Sequence, residues 1–126
     1  MRKISGLALI TIGLLHSLIA LMMPAAIGFG EIWQEIAEAG VFDVVNTESL
    51  RIWGYYWFIV PGFFLILCGF LCHWIEHQLD HPLPLFVGFG LLVITCFCIA
   101  LDLDTGFWLV LLVAVNTIVV SQRAPQ

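Results

Sequence analysis

Four stretches of the chain are apolar almost without interruption: Ile4 to Ala26, Arg51 to His73, Pro84 to Leu101 and Gly106 to Ser121, each bounded by charges or prolines. A helix needs about 20 mostly apolar residues to cross the hydrocarbon core of a bilayer. The four runs therefore read as four transmembrane helices. Unpaired backbone groups cannot face hydrocarbon, which excludes open sheets. Every connection but the first is short, and short connections make sequential helices antiparallel neighbours. The pattern predicts an all-α, up-down-up-down four-helix bundle in a single domain over residues 1–126.

The first connection, Ile27 to Leu50, is longer than a turn requires. Its segment from Glu31 to Ala39 sets Ile32, Ile36 and Ala39 along one face of a helix and Glu31, Glu35 and Glu38 on the other. That is the signature of a short amphipathic surface helix, with Gly40 as its stop. It serves either as a lid over an opening between the spans or as an interfacial connector.

Composition points the same way. Of 126 residues, 62% are hydrophobic and 10% charged, with a mean hydropathy of +1.08, and such a chain needs lipid as its solvent. The net charge of −5 gathers around Glu31, Glu35, Glu38, Asp43 and Glu48, so it is a property of one loop, and no nucleic-acid partner is implied. The basic residues Arg2, Lys3 and Arg123 lie at the chain ends, and the other side offers only Arg51. The positive-inside rule then puts both termini in the cytoplasm. Trp33, Trp53, Tyr55, Tyr56, Trp57 and Trp108 fall near the outer face and Trp74 near the inner one, as interfacial anchors do. The run from Ile4 to Met23 is too long for a signal peptide's apolar region, so it reads as a retained first span.

Three short patterns resemble a family of small bacterial four-helix membrane proteins grouped as a domain of unknown function. They are Gly13-Leu14-Leu15-His16-Ser17 in the first span, Tyr56-Trp57-Phe58 followed by Gly62 and Gly69 in the second, and Gly106-Phe107-Trp108-Leu109 opening the fourth. The resemblance implies the architecture and brings no activity with it. Together with the spans it leads us to expect a multi-pass protein of a bacterial inner membrane.

Candidate chemistry is sparse. Cys68, Cys72, Cys96 and Cys98 all fall within spans, at C-x3-C and C-x-C spacings that differ from redox C-x-x-C motifs. Motifs for nucleophilic, phosphate-binding or zinc-hydrolase chemistry are absent, and the span interiors hold no carboxylate of the kind proton pumps use. Depth groups His16, Pro61 and Asn116 in one layer, about ten residues below the outer ends of their spans, with Trp57, Ser17 and Thr95 as further polar neighbours. His73 and His77, one helical turn apart, have the geometry for sharing a cation, with Glu76 or Asp80 to complete the sphere. Gly6, Gly13 and Ala20 in the first span, and Gly62 and Gly69 in the second, recur every seven residues and form smooth stripes where helices approach closely, within the bundle or between copies in a homo-oligomer.

These features lead to an expected integral membrane protein that binds or carries a small apolar or amphipathic ligand within its bundle, through His16, Asn116, Trp57, Ser17 and Thr95. An accessory subunit of a membrane assembly is the alternative. A haem or quinone redox protein is another, since His16 is a mid-membrane histidine, although the sequence names no cofactor.

Overall fold

A computed structural model describes residues 3–40 and 49–123. They form five α-helices: α1 Ser5–Met22, α2 Ile32–Ala39, α3 Leu50–Gln78, α4 Leu85–Leu101 and α5 Phe107–Arg123, with a single 3-10 turn at Pro24–Ile27. No strand occurs among the described residues. Arg2, Asp43 and Glu48, used above for charge and orientation, lie outside them.

The helix boundaries differ from the apolar runs where local chemistry intervenes. The first helix stops at Met22 rather than Ala26, because a residue before proline is driven out of helical φ/ψ and Met23 takes φ −135° ahead of Pro24. Gly28, at φ 85°, closes the 3-10 turn in a left-handed conformation that other residues resist. α3 runs on past His73 to Gln78, through Pro61, for 29 residues. At 1.5 Å per residue that is about 44 Å, more than the roughly 30 Å of a bilayer core. α1 and α3 are long and apolar enough to cross a membrane; α4 and α5 are apolar and shorter.

The described residues divide into two compact units, a central one within 13–64 and a terminal one within 1–12 and 65–126. α1 and α3 contribute to both.

In the central unit, Ala20, Ile32, Ile36, Ile52, Tyr55 and Ile59 form a buried cluster. The expected amphipathic helix exists as α2 with Ile32 and Ile36 buried, whereas Ala39, expected on the same face, is exposed and Glu31 stands just ahead of the helix. Tyr55 donates its hydroxyl proton to the Ala20 carbonyl at 2.9 Å, satisfying a polar group that burial would otherwise penalise. Arg51 ties α2 down by pairing with Glu35 at 3.3 Å and donating to the Gly30 carbonyl. Ile32 and Ile36 thus pack α2 into the central unit, with a surface ion pair at its flank.

In the terminal unit, Leu9, Cys72, Leu83, Val110 and Val113 make the core. The glycine stripe is used here. A Cβ at Gly6 would strike the His73 backbone, one at Gly69 would lie 2.6 Å from the Ile10 backbone nitrogen, and one at Gly88 2.6 Å from Ile118 Cγ1. In the central unit Gly62 faces Ser17, His16 and Gly13 in the same way. The stripe therefore packs helices of one chain against each other. The four cysteines are free.

Candidate functional site

Three places gather polar groups. The first, in the central unit, is centred on His16. Its Nε2–H donates to the Phe58 carbonyl at 2.7 Å; a carbonyl only accepts, so the proton sits on Nε2. The imidazole also stacks on the Phe58 ring, with centroids 4.5 Å apart and planes at 22°. Pro61, lying within α3, has no N–H to give the preceding turn, and the carbonyl that His16 engages belongs to that turn. Ser17, next along α1, is buried with its hydroxyl unpartnered, against Gly62. Trp57 points outward, beside Trp53 at 5.8 Å.

The second lies in the terminal unit, at the start of α1. Glu76 is only 3% exposed, and its carboxylate accepts the backbone N–H groups of Ser5 at 3.2 Å and Gly6 at 2.9 Å. The first N–H groups of a helix have no partner inside it, and a negative charge there also suits the helix dipole. Glu76 thus caps α1 from α3. The Ser5 hydroxyl oxygen accepts from Asn116 Nδ2 at 3.0 Å and donates its proton to the Thr117 hydroxyl at 2.9 Å, whose own proton goes to the Val113 carbonyl. Ser5, Glu76, Asn116 and Thr117 together form a buried polar network that ties α1, α3 and α5. Thr95 is fully buried on α4 with an unpartnered hydroxyl.

The third is a groove of about 410 Å³ along the last turns of α3, lined by Leu67, Phe70, Leu71, His73, Trp74, His77 and Gln78. Its polar end is the His73–His77 pair, with ring centroids 4.3 Å apart. His73 Nδ1 is buried without a hydrogen-bond partner. Just beyond the helix, Lys3 Nζ reaches the Asp80 carboxylate at 2.7 Å and its carbonyl at 2.6 Å. This hydrogen bond, with the charge of Lys3, holds the Asp80 carboxyl below the usual carboxylate range.

A model of the family of unknown function DUF6463 matches residues 1–124. The chain belongs to DUF6463. No curated protein and no solved structure matches it. The match bears out the expected membership of a family of unknown function, and that description carries no source, membrane location or activity to this DUF6463 chain.

Within this DUF6463 fold, the five residues expected to share a ligand layer are divided between the units: His16, Ser17 and Trp57 in the central one, Thr95 and Asn116 in the terminal one. With α1 ending at Met22, the depth count behind that layer shifts by about one turn. The expected metal set divides too. His73 and His77 are adjacent, but Glu76 turns its carboxylate to α1, and no group of three metal-ligating side chains occurs among the described residues. Glu76, beyond the expected span Arg51 to His73, lies in the last turn of α3 and is a buried carboxylate that the sequence did not lead us to expect. Sequence reasoning also missed Ser5, whose only signal was a hydroxyl in the first turn of a span, and the apolar wall of the groove, whose residues look like any lipid-facing positions.

Proposed function

We propose that this chain is an integral membrane protein, crossing a bacterial inner membrane with α1, α3, α4 and α5, and that it binds a small amphipathic molecule against its helices. The groove on α3 carries this reading. It joins an apolar wall of Leu67, Phe70, Leu71 and Trp74 to a polar end of His73, His77 and Gln78, and ligand sites typically pair a mostly apolar lining with a few polar groups that fix orientation. The membrane part is supported by large apolar side chains left exposed on all four helices, among them Leu18, Phe64, Phe97 and Leu112. Exposed apolar residues on each of these helices suit a surface covered by hydrocarbon.

Native mass spectrometry after mild detergent release tests the ligand. The expected spectrum contains the chain with a bound small molecule; a bare mass under the gentlest conditions overturns the reading. The same spectrum reports whether the chain forms the homo-oligomer.

Topology is tested separately. Single cysteines at Glu35 and at Gln78, in a cysteine-free background, are expected to label from opposite sides of the membrane, with both termini cytoplasmic. Labelling from one side would remove the four-span model.

The accessory-subunit reading is favoured by a different observation, the polar network of Ser5, Glu76, Asn116 and Thr117, which is committed to holding helices together. His16 fits that reading as well, because its Nε2–H is spent on Phe58.

A further inference from the structure

Resting on the membrane and ligand-binding reading above, we propose that the groove on α3 is a phospholipid site, in which His73 and His77 hold the phosphate and the acyl chains lie along Leu67, Phe70 and Leu71.

The two imidazoles stand one helical turn apart with ring centroids at 4.3 Å. Each ring carries at least one N–H donor in any protonation state. Neither ring has a hydrogen-bond or ion-pair partner among the described residues, and His73 Nδ1 is buried in that condition. His73 Nδ1 is closed off from any outside molecule, so the nitrogen that His73 offers the groove is Nε2.

The carboxylates that flank the pair in sequence make their hydrogen bonds elsewhere, although Asp80 also interacts electrostatically with His77. Glu76 takes the N–H groups of Ser5 and Gly6, and Asp80 takes Lys3 Nζ. The imidazoles thus have no acceptor among the described residues, and an anion from outside the chain suits them best. A metal ion finds only two ligands here, because no third joins them among the described residues. A single carbonyl, as on a quinone ring, uses one donor and leaves the other unmet. A phosphate diester presents two unesterified oxygens that share one negative charge, which matches two neighbouring N–H donors. Charge-assisted hydrogen bonds of this kind are about twice as strong as neutral ones.

The remainder of the groove identifies what the phosphate is attached to. Leu67, Phe70, Leu71 and Trp74 are each more than half exposed and continue the wall away from the imidazoles along α3. That surface is satisfied by hydrocarbon chains. The polar end coincides with the end of α3, where Lys3, Asp80 and His81 mark the reach of water, and Trp74 sits beside it as indoles do at headgroup depth. An anionic head at the imidazoles and apolar chains along the helix describe a membrane phospholipid in its ordinary orientation.

The test uses the full chain in detergent, offered equal amounts of dioleoylphosphatidylglycerol and dioleoylglycerol. These two share their acyl chains and differ in the phosphoglycerol head. Native mass spectrometry is expected to show the wild type retaining the phospholipid about tenfold over the neutral lipid, a factor within the reach of one hydrogen bond to a charged group. His77→Phe keeps a ring of similar size at an exposed position and is expected to abolish most of that preference with the thermal midpoint unchanged. His81→Phe, outside the groove, is expected to keep it. Equal retention of both lipids by the wild type would overturn the phosphate assignment and leave the amphiphile-binding reading standing. A phospholipid preference that His77→Phe does not alter would overturn the location. Retention of neither lipid would overturn the inference and the ligand-binding reading together.

Discussion

Glu76→Ala is expected to destabilise the folded chain by on the order of 3 kcal/mol. The carboxylate accepts two backbone N–H groups at the start of α1, and at 3% exposure no water replaces it. Each N–H left buried without a partner costs about 1–3 kcal/mol, and the lost negative charge at the helix N-terminus adds a few tenths more. Glu76→Gln keeps one acceptor and turns a second donor toward the other N–H, so roughly half of the loss is expected to remain. The two variants should therefore rank wild type, Gln, Ala in thermal unfolding followed by circular dichroism in detergent, with Glu76→Ala lower by roughly 10 °C. An alanine variant that melts with the wild type would show that α1 does not depend on this cap.

The second large effect compares one substitution at two glycines. A Cβ at Gly6 meets the backbone nitrogen and Cα of His73, whereas a Cβ at Gly90 meets nothing within 4 Å. A side chain can yield to an intruding methyl group by changing rotamer, but backbone can yield only if the two helices separate. Gly6→Ala is thus expected to cost about 3 kcal/mol, at the upper end of ordinary overpacking. Gly90→Ala is expected to be neutral or to gain up to about 1 kcal/mol, because alanine loses less backbone entropy in a helix than glycine does. Gly69→Ala should follow Gly6→Ala, since its Cβ would stand 2.6 Å from Ile10 nitrogen. Denaturant titration of the three variants reads the sign directly. Equal effects at Gly6 and Gly90 would mean that close approach of the backbones is not what glycine serves at Gly6.

Much of this molecule is decided by local chemistry and is legible along the chain. Four apolar runs become four helices, two of them long enough to cross a membrane, because a backbone surrounded by apolar side chains has to satisfy its own hydrogen bonds. Ile32 to Ala39 becomes a helix with Ile32 and Ile36 inside, because its period of apolar positions matches the helical turn. Gly40, at φ 99°, lies just past its last residue, as the sequence alone leads one to expect. The sequence patterns also place the chain in its family.

Tertiary structure decided what pairing and depth could not. Glu76 reads as a headgroup-boundary acid or a third metal ligand until α1 is seen starting beside it, and its two backbone partners, Ser5 and Gly6, lie some 70 residues away along the chain. Asn116 looks like a partner for His16 when each is counted down its own span; in the fold Asn116 donates to Ser5 while His16 donates to a carbonyl of the Pro61 turn. The glycine stripes are equally compatible with a dimer seam and an internal one until a backbone is found lying against them. In each case the sequence set the chemistry of a group and left its partner open. A helix fixes the direction of its side chains by its own geometry, but which neighbour lies there depends on packing between segments far apart in the chain.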